Sequence, residues 1–366
     1  MPIRPEEAVA RNVVEGYLHI RPGDRVTIET WTHGIPLARD LVCASRRKGG
    51  ATMLLVEDEE AFFRGLAAPH AAACTVRPTT AVRLSDAYIR LGGPEAFPRL
   101  FGLPRSDRER WTDRPGGPWW AAARRSGVRG AELALAGATA TAAATYRVDL
   151  NSWRRELLRA SAIPPARLSR PIGRILRALA RAQTVRVRHP NGTDLRLSLS
   201  PGRAWGEDGR VGRARRFTDR FWVEAPTGFV GAEARPGRTE GNWEGNRPMY
   251  DRFDRPSVAQ GARFSFVDGR LSEFSFDQGG EAFAAAYARG RRDGATVAGL
   301  LFGVNPAIVR APEVTERAVG AVSVVLGDNR RWGGGRRAPY SLVSTIVGAE
   351  VELDGREFRI DGAASA

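Results

Sequence analysis

The stretch Gly23–Ala51, GDRVTIETWTHGIPLARDLVCASRRKGGA, decides the fold of the first half of the chain. A Gly-Asp turn leads into a short apolar strand. The following segment has the periodicity of an amphipathic helix and ends at Gly49 and Gly50. A second strand, ATMLLVED, begins at Ala51 and is apolar enough to lie inside a parallel sheet. This strand–helix–strand succession predicts an α/β arrangement.

The sequence on both sides of this stretch extends the same alternation. An amphipathic helix is predicted over Glu6–Leu18, and a further strand over Asp86–Gly93. Pro, Gly, Arg and Trp are frequent from Pro94 to Pro118, which indicates an irregular excursion. We therefore expect a doubly wound α/β N-terminal domain over residues 1–165.

A basic amphipathic helix is predicted at residues 166–183, where it would connect two domains. Its apolar stripe and its basic face are formed by Ile172, Ile175, Leu176 and Leu179, and by Arg174, Arg177 and Arg181. A helix of this kind could bind RNA or a membrane surface. Docking of the apolar stripe on the protein, with the arginines in solvent, is the favoured interpretation.

Residues 184–366 have a different character, with short apolar segments separated by Gly, Pro and Asp. The sequence HPNG at His189–Gly192 is a hairpin signal, and EAFAAAYARGRRDGA, from residue 281 to 295, indicates a helix. We expect a β-rich, mostly antiparallel C-terminal domain. The fold class is therefore α/β plus α+β.

The composition favours an anionic partner. The 366-residue chain has a formal net charge of +15, and Lys48 is its only lysine, so arginine supplies nearly all of the positive charge. Coding bias in a GC-rich genome also produces arginine. The charge nevertheless suits nucleic acid, an acidic peptide or an acidic lipid surface. No apolar run long enough to span a membrane is present, and the N-terminus lacks an apolar signal segment, so a cytoplasmic protein is expected.

Several motifs, in order along the chain, resemble the aminopeptidase T/S-like metallopeptidases. They are the opening stretch, NGTDLRLSLSPGRAW from residue 191, APTGF from 225, GLLFGVNP from 299, SVVLGDNRRWGGG from 323 and VELDG from 351. The resemblance implies an α/β N-terminal domain, a β-rich C-terminal domain and a homodimer with clefts between domains. It also implies a paired divalent-metal site for removing N-terminal residues from peptides, with a dioxygenase branch that uses one iron.

This sequence departs from the family at the metal-ligand positions that the resemblance implies. Those positions fall on Phe229, Gly299, Ser323, Arg330, Ser341 and Val343. A dinuclear hydrolytic site needs carboxylate and imidazole ligands, which hold two dications and activate a water. Phe, Gly and Val have no donor atom, and Ser and Arg rarely ligate. We therefore expect no metal and no other cofactor.

Arginine and aromatic residues cluster around the same positions. Guanidinium groups bind carboxylates through two parallel hydrogen bonds, so the cluster suits an acidic peptide. Solvated loop residues are an equally good interpretation. The candidate peptide-binding residues are Phe229, Gly299, Ser323, Arg330, Arg331, Trp332, Arg337, Tyr340, Ser341 and Val343.

The favoured hypothesis is a catalytically inactive, peptidase-like protein that binds an acidic precursor peptide and presents it to modifying enzymes. Such a protein would be similar in kind to the peptide-binding proteins of crocagin-type ribosomal peptide biosynthesis. An alternative is metal-independent guidance of peptide cyclisation, with Asp328, Glu233 or Glu240 as the base. Nucleic-acid binding is suggested by charge alone, since no recognised module occurs. A metal-dependent aminopeptidase ranks last.

Overall fold

The computed structural model describes residues 3–66, 79–103, 118–211, 221–251, 257–289, 296–338 and 340–360. The chain divides into two compact units. The first unit comprises residues 1–165 and 209–227, and the second unit comprises residues 166–208 and 228–366. No helix in the described part of the chain is long and apolar enough to cross a membrane.

The secondary structure alternates between helix and strand in the first unit and is mostly strand in the second. The helices are α1 (Pro5–Arg11), α2 (Ile35–Arg47), α3 (Glu59–Leu66), α4 (Thr79–Arg83), α5 (Pro118–Ser126), α6 (Ala140–Tyr146), α7 (Leu150–Ser161), α8 (Pro165–Arg181) and α9 (Glu281–Arg289). The strands up to β8 are β1 (Arg25–Trp31), β2 (Ala51–Glu57), β3 (Ala87–Arg90), β4 (Arg129–Leu133), β5 (Thr184–His189), β6 (Thr193–Glu207), β7 (Trp222–Ala225) and β8 (Phe229–Glu244). The later strands are β9 (Met249–Asp251), β10 (Ser257–Ala259), β11 (Arg263–Val267), β12 (Arg270–Ser275), β13 (Val297–Gly303), β14 (Ala321–Gly327), β15 (Ser341–Val347), β16 (Glu350–Leu353) and β17 (Arg356–Glu357).

The first unit is built on a parallel sheet with the strand order β2-β1-β3-β4-β7. Helix α2 ends just before Gly49, whose φ of +78° is a left-handed conformation that glycine adopts without strain. The predicted stop signal is thus confirmed. The predicted N-terminal helix is α1 followed by a π-helical turn at Asn12–Tyr17.

The position of strand β7 differs from the predicted domain organisation, which placed residues 184–366 in the C-terminal domain. It pairs in parallel with β4, opposite Gly130 to Leu133, and so belongs to the first unit. The ring of Trp222 lies over Gly130, and a Cβ atom built there would stand 1.8 Å from Cε3 of that ring. Only glycine leaves room for this contact, which fixes β7 on the sheet.

Replacing Gly130 with alanine is therefore expected to lower the free energy of unfolding by about 1–3 kcal/mol, because the new methyl group must displace Trp222. Urea denaturation followed by tryptophan fluorescence measures the change. Gly137→Ala is the matched control, since a Cβ at Gly137 would meet no atom within 4 Å. Equal stability of the two variants would contradict the close approach.

A row of charged side chains crosses the first sheet. Glu29, Arg90, Glu132 and Glu224 occupy one register on β1, β3, β4 and β7, so they lie side by side on one face. Arg90 is 8% exposed and donates a hydrogen bond to Glu132, while the Tyr88 hydroxyl donates to Glu29. Burial, the largest influence, lowers the pKa of Arg90, but the surrounding carboxylates outweigh it and the pKa is raised.

The second unit is built on an antiparallel sheet with the strand order β15-β14-β13-β8-β6-β5-β16-β17, to which β11 and β12 add beside β8. The predicted hairpin at His189–Gly192 joins β5 to β6 and is confirmed. The α/β first unit and the β-rich second unit together confirm the predicted fold class. Strands β13 and β14 are buried along their whole length, so the sheet is covered on both faces there.

Helix α8 packs against the second unit through its apolar stripe. Ile172, Ile175 and Leu179 are buried, and Gly206 leaves space for the Ile172 side chain, since a Cβ at Gly206 would stand 2.2 Å from its Cγ2. The docked-helix interpretation is confirmed. The helix predicted over residues 281–295 is observed as α9, which the structure describes as far as Arg289. Residues 290–295 lie outside the described residues.

Candidate functional site

The antiparallel sheet brings five of the six predicted ligand positions onto one face. Gly299 of β13 pairs with Val325 of β14, which pairs with Val343 of β15. Two residues along the same strands, Leu301 pairs with Ser323, which pairs with Thr345. Phe229, at the start of β8, pairs with Gly303 of β13. Since side chains two residues apart share a face, these positions on β8, β13, β14 and β15 all point the same way. The face contains Phe229, Gly299, Ser323, Val343 and, at its exposed end, Ser341.

Apolar side chains fill this face. Phe229 and Trp332 are 1% and 6% exposed, and they form a cluster with Ala298, Leu301 and Val325, flanked by Trp205 and Val343. The Trp205 ring also covers Gly231, because a Cβ there would lie 2.4 Å from the ring. The positions that the resemblance assigns to metal ligands on this face are therefore surrounded by packed aromatic and aliphatic groups. We call this set the apolar plug.

The two small residues on the face have structural roles. The Ser323 hydroxyl lies 2.8 Å from the Thr345 hydroxyl, both side chains being buried, so their polar groups satisfy each other. At Gly299 a Cβ would stand 2.5 Å from the carbonyl oxygen of Ala232. No side chain, and so no carboxylate ligand, fits there while the strands keep this spacing.

These residues do not fit the paired divalent-metal site that the resemblance implies. Phe229, Gly299 and Val343 offer no donor atom, and the Ser323 hydroxyl is engaged inside the core. Within the described ranges, no group of three or more His, Cys, Asp or Glu side chains is arranged to hold a metal ion. We therefore derive no chemical step through a metal.

The segment between β14 and β15, residues 328–340, is called the arginine loop. Its organising residue is Asn329, which is 1% exposed. The Asn329 side-chain amide donates to the Ala298 carbonyl at 3.1 Å, and its oxygen accepts from the Arg336 backbone N–H at 2.8 Å. Gly333 adopts a left-handed φ of +94° after the helical turn Arg330–Trp332. Asn329 thus ties the loop to β13.

The first two arginines of the loop are held by local contacts. Arg330 donates to the Asp328 carboxylate from its backbone N–H at 2.9 Å and from Nη2 at 2.6 Å. The guanidinium of Arg331 lies over the Trp332 ring, 5.7 Å from the ring centroid. Arg330 is thus largely neutralised, and the Arg331 guanidinium lies over the Trp332 ring of the apolar plug.

The end of the loop is anchored in the core. Tyr340 is 7% exposed and packs edge-on against Phe283 of α9, with ring centroids 6.0 Å apart. Burial raises the pKa of the Tyr340 hydroxyl, so this group stays neutral and cannot serve as a base near neutral pH. Ser341 is exposed and donates to the carbonyl oxygen of Asp328.

A basic cavity of about 390 Å³ lies beside the arginine loop. Three guanidinium-bearing residues border it, together with one carboxylate and one hydroxyl. Its lining comprises Pro236, Gly237, Asp268, Arg270, Thr296, Arg336 and Arg337. Arg336 is fixed because its Nη1 donates to the Val297 carbonyl at 3.2 Å. The cavity is thus a concave surface with a net positive charge.

The structure divides the predicted peptide-binding residues into two groups. Phe229, Ser323, Trp332 and Tyr340 are buried, so their predicted direct contact with a peptide is not supported by their position. Packing of large apolar groups against one another explains why these residues lie inside. Gly299 has no side chain, and Val343 is only partly buried beside the plug. The accessible members are Arg330, Arg331, Arg337 and Ser341.

The cavity residues Arg270 and Thr296 were missed by the sequence reasoning. Arg270 follows the turn Asp268-Gly269, and the pattern VDGRL is a hairpin signal that places an arginine at the start of a strand. Nothing local indicates that this hairpin meets the arginine loop, because that proximity depends on the sheet order. Thr296 has no sequence signal that distinguishes it from other threonines.

The α/β unit and the large antiparallel unit define an aminopeptidase T-like fold. Wild-type AmpT from Thermus thermophilus is similar with a TM-score of 0.69 and 18% identity, over 97% of each chain. The 2,5-dihydroxypyridine dioxygenase from Pseudomonas putida is similar with a TM-score of 0.61 and 13% identity, over 99% of each chain. No protein-family model matches the chain, and no curated protein does so. At these identities the likeness establishes the fold.

Proposed function

We propose that this chain binds an acidic peptide on the basic surface of the arginine loop and performs no metallopeptidase chemistry. The observation that carries the proposal is the apolar plug, in which Phe229, Trp332 and Val325 fill the face that the family resemblance assigns to metal ligands. A fold that retains its framework while losing its metal donors keeps a surface for binding and lacks the means to activate water.

The charges around the plug supply the affinity. Arg331 and Arg337 stand at the surface of the loop, and Arg336 and Arg270 border the adjoining cavity. Carboxylates of a peptide bind guanidinium groups through charge-assisted hydrogen bonds, and a positive surface accelerates the encounter with an acidic partner. Because Asn329 and Tyr340 anchor the loop at both ends, little ordering entropy opposes binding.

The partner we propose is the precursor peptide of a ribosomally made natural product, held for modifying enzymes of the same pathway in the cytoplasm. A homodimer is part of this proposal. The proposal of a peptide partner and a homodimer is supported by the resemblance of the sequence motifs to the peptidase family and by the aminopeptidase T-like fold. Nucleic acid is the less favoured anion, since the arginines converge on a compact loop and cavity instead of a long groove lined by aromatic residues.

Metal-independent cyclisation is the alternative in which the same surface would carry a base. Asp328 is a poor base because Arg330 engages its carboxylate with several hydrogen bonds. Glu233 is the better placed residue, since its side chain is 18% exposed and lies 3.8 Å from Arg203. Mass spectrometry of peptides incubated with the protein distinguishes turnover from passive binding. The metal-dependent aminopeptidase is disfavoured by the apolar plug.

A fluorescein-labelled peptide of about twelve residues, rich in Asp and Glu, tests the proposal by fluorescence anisotropy. We expect saturable binding at about 50 mM salt and at least tenfold weaker binding at about 300 mM, because salt screens exposed charges. The same peptide with Asn and Gln should bind at least tenfold more weakly. Arg337→Gln should weaken binding, while Arg356→Gln, which removes an equal charge from the exposed strand β17, should not.

Three results would contradict the proposal. One is the absence of binding at low salt, and another is equal affinity for the acidic and the neutral peptide. The third is turnover of a fluorogenic leucine amide by protein that carries one or two zinc ions per chain, which would restore the metallopeptidase interpretation.

A further inference from the structure

We infer that the basic cavity beside the arginine loop is a carboxylate subsite, which binds one carboxylate group together with the amide N–H next to it. The inference rests on the proposed peptide binding and specifies which peptide group enters the cavity. Its basis is the combination of donors and one acceptor around a space of about 390 Å³.

The donors of the cavity are available for a ligand. The guanidinium groups of Arg270 and Arg337 form no hydrogen bond or ion pair with any described residue. The Thr296 hydroxyl is buried without a hydrogen-bond partner in the described structure. A buried hydroxyl without a partner costs free energy, which a bound acceptor would recover. Two guanidinium groups and one hydroxyl suit the two oxygens of a carboxylate.

The walls of the cavity are fixed before a ligand arrives. The Asp268-Gly269 turn packs directly on the backbone of Gly237, since a Cβ on Gly269 would stand 2.2 Å from the Gly237 Cα. The backbone N–H of Gly269 donates to Thr239 at 3.0 Å. On the opposite wall, Arg336 is tied to the Val297 carbonyl. A preorganised site of this kind binds small groups without paying for loop ordering.

The charge of Asp268 favours a carboxylate over a phosphate as the ligand of the cavity. This exposed residue borders the cavity and pairs with no described cation, so it repels a dianion more strongly than a monoanion. It also offers an acceptor for an N–H group. A peptide end combines both features, because its terminal carboxylate follows an amide N–H, and an Asp or Glu side chain near a backbone amide has the same chemistry. The volume holds a whole amino-acid residue.

The test compares three forms of the labelled acidic peptide: the free acid, the C-terminal amide, and an amide that ends in Asp. We expect the free acid to bind about tenfold more tightly than the plain amide, a difference of about 1.4 kcal/mol. Arg270→Gln should abolish this difference, whereas Arg356→Gln should preserve it. If the amide ending in Asp binds as tightly as the free acid, the carboxylate source is a side chain, and the subsite is still supported.

Equal affinity of all three forms, with no greater loss of affinity in Arg270→Gln than in Arg356→Gln, would overturn the subsite while the proposed peptide binding stands. If no peptide binds, the proposed function fails, and a small probe then decides the subsite separately. N-acetylglycine should give a saturation-transfer NMR signal with the wild-type protein and none with Arg270→Gln, and N-acetylglycinamide should give none with either. The absence of a signal from N-acetylglycine, or its complete displacement by equimolar inorganic phosphate, would overturn the inference.

Discussion

Replacing Arg90 with methionine is expected to lower the free energy of unfolding by about 3–5 kcal/mol, because the change strands a buried carboxylate. Glu132 is only 14% exposed, and Arg90 is its sole ion-pair partner among the described residues. Methionine preserves much of the apolar volume of arginine, so the loss of stability measures the removal of the charge and not a change in packing. Urea denaturation at neutral pH measures it.

The matched control for this prediction is Arg25→Met. Arg25 pairs with Asp86 at 3.1 Å, but its side chain is 57% exposed, so removing that pair should cost at most about 1 kcal/mol. The double variant Arg90→Met with Glu132→Gln should recover part of the lost stability, because the buried Glu132 carboxylate is then no longer left without its ion-pair partner. Simple addition of the two single effects would contradict the pairing.

Local patterns were sufficient to predict three strands of the first sheet, β1, β2 and β3, whereas β4 was not predicted. Turn residues and periodicity placed β1, α2, β2 and β3 within a few residues, since each depends on its own sequence. Strand β7 could not be assigned to that sheet, because its partner is chosen by the shape of the Trp222 ring over Gly130. A contact between residues so far apart in sequence leaves no local signal.

The candidate site was predicted only in part, for a similar reason. The resemblance located the five strand positions that share one face, and the presence of Phe229 and Val343, which have no donor atom, was visible in the sequence. Burial was not visible, because an aromatic residue beside arginines suits a binding surface and a core equally well. The sheet order decides between them, since it puts Trp205 and Trp332 around Phe229. It also brings Arg270 to the arginine loop.

The sheet therefore gives the face around Phe229 a structural role, which a charge introduced at that position would test. Replacing Phe229 with glutamate is expected to lower the free energy of unfolding by more than about 4 kcal/mol, since the carboxylate would be desolvated among Ala298, Leu301 and Val325. The Arg317 guanidinium lies 5.7 Å from the Phe229 ring centroid, but it is already paired with Glu316. The same change supplies a carboxylate, one of the two ligand types that a dinuclear hydrolytic site needs. Phe229→Leu, which keeps the site apolar, should cost only about 1–2 kcal/mol.

Zinc and manganese titrations complete this experiment. If the face were a metal site missing one ligand, the glutamate variant would gain stability as the metal concentration rises, because a ligand bound by the native state alone stabilises it. We expect no such gain, since Gly299 and Val343 offer no second and third donors and the Ser323 hydroxyl is held by Thr345. A glutamate variant as stable as the wild type, or one stabilised by zinc and active on leucine amides, would show that the plug does not prevent catalysis.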